Sequence, residues 1–203
     1  MKTIRCGVIG LGRLGYRHAA HLHSRIPGSH LCCVADSSGE ALNAFCSEYE
    51  DVKPYHDYER LLADPNIDAV IIATSTATHA TIAKAALRSQ KAVFCEKPLS
   101  LEFEQAKELA QMIKEQPTFF QVGFMRRFDS AYRDAFAQIE SGKMGKAISL
   151  RSCSRDPSCP PVEFAKSSGG LIMDLCIHDL DLCRWFSKSE AVEVYARGGV
   201  IRY

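Results

Sequence analysis

The sequence predicts an α/β fold built on a doubly wound parallel sheet. Three observations support this: a glycine-rich turn between an apolar run and a helical run, an acid closing the next apolar run, and alternation of short apolar runs with helical periodicity as far as Gly123. Residues 3 to 9 read as a buried strand, and a helix-like run follows the turn at Gly10. Leu31 to Ala35 is the second strand and ends at Asp36. Then come a helix over Gly39 to Tyr49, a short strand over Lys53 to Tyr55, a helix over Tyr58 to Ala63 and the apolar run DAVIIAT, ending near Thr74. A helix over Ala77 to Ser89, a strand over Ala92 to Cys95, a helix over Leu101 to Lys114 and a strand over Thr118 to Gly123 complete six strands. Right-handed crossovers then wind the sheet in both directions, with a ligand beyond the carboxyl ends of the strands.

The turn spells GLGRLG, with Leu11, Arg13 and Leu14 between Gly10, Gly12 and Gly15. Gly10 serves a tight turn, Gly12 a close approach of backbone to a pyrophosphate, and Gly15 close packing of helix on strand; the helix N-terminus faces the phosphates. Asp36, twenty-one residues beyond Gly15, is positioned to accept from both ribose hydroxyls, which favours NAD over NADP. Ser37 and Ser38 follow it without an Arg or Lys to receive a 2′-phosphate. The alternative, glycines that merely serve a turn, leaves Asp36 unexplained.

The 203 residues are 46% hydrophobic and 24% charged, so one domain and part of another fit the length. A net charge of +1 gives no basic footprint for nucleic acid. No run is long enough to span a membrane or act as a secretory signal, so the expected location is cytoplasmic. Nine cysteines without a CxxC spacing read as reduced, mostly buried thiols, and no metal site is expected.

After Gly123 the pattern changes. GFMRRFD leads into a helix over Ser130 to Glu140, a Gly-Lys-Met-Gly turn and a strand over Ala147 to Ser154. A proline-rich loop (DPSCPP), a helix from about Gly170 to Phe186 and a strand over Ala191 to Arg197 follow. The boundaries are therefore 1–123 for the dinucleotide-binding domain and 124–203 for the start of an α/β second domain. That domain reads as truncated, since the chain stops at Tyr203 without further strands or a covering helix, leaving edges that native sheets avoid.

Two clusters carry chemistry. CEKP sets Glu96 and Lys97 at the end of the fifth strand, with the following proline restricting Lys97; a surface lysine is the alternative. In GGLIMDLCIHDLDL, Asp174, His178 and Asp181 are spaced i, i+4, i+7 on one helical face, where a carboxylate can orient the imidazole of a proton acceptor. A histidine satisfied within an interface, a solvated acidic face and a metal site are the alternatives.

In this order GLGRLG, VAD, the Ala73 to His79 segment, CEKP, GFMRRFD, SRDPSCPP and GGLIMDLCIHDLDL resemble the glucose-fructose oxidoreductase and inositol dehydrogenase (Gfo/Idh/MocA) family, over Thr3 to Arg202. The resemblance implies an N-terminal Rossmann domain, a C-terminal open-sheet α/β domain and an active site between them. It also implies a cis Lys97–Pro98 bond and catalytic roles for Lys97, Asp174 and His178. In the implied reaction NAD receives hydride from a secondary hydroxyl of a cyclic polyol, myo-inositol foremost, while His178 takes the proton, Asp174 orients it and Lys97 stabilises charge on the oxygen. Arg127, Asp156 and Asp181 would bind further hydroxyls alongside the catalytic three. Thr74, Ser75, His79, Glu96 and Arg126 would line the nicotinamide half. The full-length family form is expected to be a homo-oligomer. A truncated NAD-binding fragment without turnover, and action on another sugar or inositol isomer, are the competing readings.

Overall fold

The computed structural model describes residues 3–199, which fall into two compact units divided between Gly123 and Phe124. The first unit is a six-stranded, wholly parallel sheet in the order β3-β2-β1-β4-β5-β6. Its strands are β1 (Ile4–Ile9), β2 (Ser29–Ala35), β3 (Lys53–Tyr55), β4 (Ala69–Ile72), β5 (Ala92–Cys95) and β6 (Phe120–Val122). The crossover helices are α1 (Arg13–Ser24), α2 (Gly39–Glu48), α3 (Tyr58–Leu62), α4 (Thr76–Arg88) and α5 (Phe103–Glu115). The strand order reverses between β1 and β4, so the turn after β1 and the turn after β4 flank the crevice where doubly wound sheets bind ligands.

Alternation along the central strands divides two cores. Ile9, Cys33, Val70 and Ile72 face α3, α4 and α5, whereas Val8, Val34 and Ile71 face α1 and α2. On the latter side Phe45 is fully buried, stacks on Tyr49 at 4.5 Å and meets the edge of Tyr16 at 5.1 Å. Local chemistry starts the helices: Ser38 accepts from the Ala41 amide at α2, and Asp57 from the Glu59 amide at α3. Lys91 is buried because its ammonium donates to the carbonyls of Asp64 (2.8 Å) and Ile67 (2.7 Å), which closes the turn before β4.

The second unit holds a 3-10 turn at Met125–Phe128, α6 (Ser130–Glu140), α7 (Val162–Ser167) and α8 (Ile177–Ser187), preceded by a π turn at Ile172–Cys176. Asp129 caps α6 by accepting from the Ala131 and Tyr132 amides. The π turn and α8 make one continuous helical stretch from 170 to 187, as the periodicity predicts, but with a widened first turn. α7 was not foreseen. Two predicted strands are corrected: residues 147–154 and 191–197 form no strand. An apolar alternation becomes a strand only when a neighbouring backbone takes up its N–H and C=O groups, and no strand lies alongside either segment among the described residues. Ile148 and Val192 are accordingly almost fully exposed. The predicted stop in or just after a strand at Tyr203 lies outside the described residues. The Lys97–Pro98 bond is cis.

Substitution of two glycines separates fold from site. A Cβ on Gly15 would stand 1.8 Å from the Gly10 carbonyl oxygen, whereas a Cβ on Gly12 would meet nothing within 4 Å. Gly15→Ala should therefore cost about 2 kcal/mol or more in denaturant unfolding, and Gly12→Ala less than about 1 kcal/mol. Equal losses would contradict this packing.

Candidate functional site

The glycine turn runs from β1 into α1 at the reversal of strand order. Gly10 has φ of +93°, and a side chain there would lie 2.7 Å from the backbone of Ala73 at the end of β4. Gly12 is the residue before α1, with an extended backbone and open space beside its Cα. No side chain caps α1 and no acid occupies its first turn, so the amides at this terminus and the positive end of the helix dipole remain available. Arg13 and Leu14 are exposed there, whereas Leu11 and Gly15 are buried. This cradle fits an anionic diphosphate: open where a ligand must approach, and lined by amide donors.

Asp36 stands at the end of β2 and is already engaged. Its carboxylate accepts from the Leu11 amide at 2.6 Å and from the Ser38 amide at 2.8 Å, tying the β2 end to the glycine turn. A carboxylate offers about four lone-pair sites, so capacity remains for a diol. Ser37 beside it is exposed.

The turn after β4 brings Thr74 and Ser75 to the start of α4, where Ser75 makes no side-chain cap. Thr74 Oγ1 lies 2.7 Å from Thr78 Oγ1. His79 is held from both sides of its ring. It is 2% exposed, with Nδ1 2.8 Å from the Pro98 carbonyl and Nε2 3.2 Å from the Thr74 carbonyl, so it joins the turns after β4 and β5. Both carbonyl oxygens only accept, so whichever ring nitrogen carries a proton is the donor to its own turn. At the end of β5, Glu96 and Lys97 are both half-buried. Glu96 Oε1 is 2.8 Å from Nε2 of His18 on α1, and its Oε2 accepts from the Lys97 amide at 3.3 Å.

In the second unit, His178 and Asp181 are buried and Asp174 half-buried, so one side of the helical stretch is inward, as the i, i+4, i+7 spacing predicts. Asp174 lies in the π turn, a distortion frequent at functional sites. His178 meets the ring of Phe124 edge-on at 6.3 Å. Arg127 and Asp181, both expected to meet a polyol, bind each other as a fork at 2.8 and 2.7 Å, with Arg127 also 5.7 Å from the Trp185 ring. Arg126, expected at the nicotinamide half, is taken up within this unit: its guanidinium donates to Asp179 and to Ser154, each at 2.9 Å. Asp156 is exposed on an irregular segment.

The sequence reading missed His18 and Asp179. His18 stands three residues after Gly15, beside the inward stripe of Gly15, Ala19 and Leu22, and that placement is the one signal pointing to it. Asp179 is flanked by the more conspicuous Asp174, His178 and Asp181. Burial works to raise its carboxyl, but hydrogen bonds from Ser152, Ser154 and Arg126, with the Arg126 charge, outweigh this and hold it below its ordinary value. The nine thiols are free, but only Cys6, Cys33 and Cys95 are buried; Cys153 and Cys159 are exposed, which corrects the expectation of mostly buried cysteines. Burial pushes Cys6 up to about 11 and Cys33 and Cys95 up to about 12, so these three hold little thiolate at neutral pH. Among the described residues no cluster of three or more His, Cys, Asp or Glu side chains is arranged to hold a metal, and no helix is long and apolar enough to cross a membrane.

Residues 4–124 match the oxidoreductase family, NAD-binding Rossmann fold, and residues 132–203 match the GFO/IDH/MocA C-terminal domain. The chain belongs to the GFO/IDH/MocA oxidoreductase family. It is 42% identical over 198 residues to scyllo-inositol 2-dehydrogenase (NAD(+)) of Bacillus subtilis, covering 98% of this chain and 58% of that protein. It is 38% identical to myo-inositol 2-dehydrogenase of Thermotoga maritima, with 98% and 59% covered. The crystal structure of scyllo-inositol dehydrogenase from Lactobacillus casei with bound NAD(H) and scyllo-inositol superposes with a TM-score of 0.86 at 36% identity, over 92% of this chain and 57% of that one. The chain thus spans somewhat under three fifths of the length of these relatives.

The depressed Asp179 carboxyl gives a pH dependence of definite sign. Its contribution to stability is complete above the unfolded-state value of about 4 and is lost as pH falls through the lower folded value. Trp185, the single tryptophan, reports the second unit by fluorescence. Asp179→Asn should be about 1 to 3 kcal/mol less stable at neutral pH, with the difference from wild type shrinking below pH 4. A difference independent of pH would rule out the ion pair as its source.

Proposed function

We propose that this chain carries the cofactor-binding and catalytic residues of an NAD-dependent dehydrogenase that oxidises a secondary hydroxyl of an inositol-type cyclic polyol. The observation that carries this is the glycine cradle at the strand-order reversal: an uncapped α1 terminus, open space at Gly12 and Asp36 held beside Leu11. Further support comes from inositol dehydrogenase relatives over 98% of the chain.

In this reading the residues from Gly10 to Gly15 hold the pyrophosphate, and Asp36, with Ser37 beside it, receives the adenosine ribose. Thr74, Ser75, Glu96 and Lys97 serve the nicotinamide half, while His79 fixes the turns that carry them. When bound, NAD supplies the hydride acceptor. His178 takes the proton of the reacting hydroxyl, Asp174 orients its imidazole, and the Lys97 ammonium stabilises negative charge on the oxygen. Arg127, the more open partner of its ion pair, receives another hydroxyl while Asp181 orients it; Asp156 serves a further one. Arg126 supports this wall through Asp179. Myo-inositol is the foremost substrate, with scyllo-inositol the direct competitor.

A second reading, an NAD-binding module without turnover, is favoured by the segments 147–154 and 191–197, which pair with no strand among the described residues. Fluorescence titration with NADH, alongside NADH formation from NAD and either inositol at mildly alkaline pH, separates the two. Binding with turnover supports the dehydrogenase, binding alone supports the module, and no NADH binding rejects the cofactor assignment. Asp36→Asn keeps one acceptor oxygen, enough for the Leu11 amide but not for the Ser38 amide as well, and removes the charge, so it should weaken NADH about tenfold while leaving NADPH nearly unchanged. His178→Ala should abolish most turnover while NADH affinity stays within about twofold.

A further inference from the structure

The Glu96 carboxylate is held by three elements of the first unit. Its Oε1 lies 2.8 Å from Nε2 of His18 on α1, its Oε2 accepts from the Lys97 amide at 3.3 Å, and Gly123 after β6 closes the remaining side. The fit there is close: a Cβ on Gly123 would stand 3.1 Å from Oε2 of Glu96 and 3.0 Å from the Phe94 ring. The Glu96 side chain is 14% exposed and that of His18 31%. An ionised carboxylate only accepts, so Nε2 of His18 is the donor. The His18 ring stands edge-on to Phe94 at 5.4 Å, and Phe94 belongs to β5, whose last residue, Cys95, precedes Glu96. His18 is thus fixed against β5 from one side and by the Glu96 charge from the other.

We propose that His18 is a positioning residue: from the helix that begins at the glycine cradle, it fixes Glu96 and, through that carboxylate, the Lys97 backbone for the nicotinamide half of the cofactor. The inference rests on the NAD reading above. α1 connects both ends of the cofactor edge: its first turn meets the phosphates, and His18, one turn further on, holds the end of β5. Without His18, Glu96 keeps the Lys97 amide but loses the partner that fixes its other oxygen, and a half-buried carboxylate then turns toward water.

The test compares NADH with ADP-ribose, which has the adenosine, both phosphates and a ribose but no nicotinamide, on the full chain. His18→Leu should weaken NADH about five- to tenfold and change ADP-ribose by less than about twofold. His18→Gln, whose amide N–H reaches about as far as imidazole Nε2, should recover most of the NADH affinity. Unchanged NADH affinity in His18→Leu would overturn the proposal. So would an equal loss for both ligands, which marks damage to the fold, or a Gln variant no better than Leu. Wild-type chain that binds ADP-ribose but not NADH would defeat the nicotinamide assignment and this inference with it; wild-type chain that binds neither would defeat the NAD reading itself.

Discussion

The close approach of Gly15 to the Gly10 carbonyl sets the geometry on which the first unit depends. With no side chain between them, α1 starts directly against the turn that leaves β1, and its axis is fixed relative to the strand. The consequences spread from there. Ala19 and Leu22, one and two turns on, reach the core shared with α2, and His18 arrives at the end of β5. The same approach points the α1 terminus into the reversal of strand order. Packing and ligand geometry thus follow from one contact, so the position admits no larger residue.

Asp36 adds a constraint of a different kind. Its carboxylate, in accepting from Leu11 and Ser38, joins the end of β2 to the glycine turn and to the start of α2. The group assigned to ribose recognition is therefore also part of the scaffold that shapes the cradle. Such double use makes loss of the side chain ambiguous, because a weaker ligand can reflect a missing hydrogen bond or a displaced turn. Isosteric replacement by Asn keeps the volume and one of the two acceptors, and the contrast between NADH and NADPH then separates the lost charge from a displaced turn.

Most of the first unit was legible in the sequence because its strands are short apolar runs covered on both faces and separated by helices with clear stripes. Even the three-residue β3 follows from its place between α2 and α3. Legibility fails where a side chain answers to something distant in sequence. His18 pairs with Glu96 seventy-eight residues away and Arg126 with Asp179 fifty-three away, and no local spacing announces either. The same holds for His79, whose ring nitrogens face the Pro98 and Thr74 carbonyls, a contact that only the fold brings together. The two predicted strands that do not form show the limit from the other direction, since residues 147–154 have the composition of a strand but no neighbouring ladder among the described residues.

The second unit solves a charge problem that the helical face alone creates. Asp174, His178, Asp179 and Asp181 place three carboxylates and an imidazole within eight residues, and like charges so close would repel one another and resist burial. The adjacent MRRF turn supplies two guanidinium groups, and each goes to a different acid: Arg126 to Asp179 and Arg127 to Asp181. Asp179 gains two serine hydroxyls as well, and its carboxyl stays ionised despite partial burial. With those two acids neutralised by fixed partners, the helix buries His178 beside Phe124 without surrounding it by unpaired negative charge. The two arginines of the Met125–Phe128 turn thus answer the acids on either side of the helix position that buries His178, so the charge balance of this helix is completed by residues some fifty positions earlier in the chain.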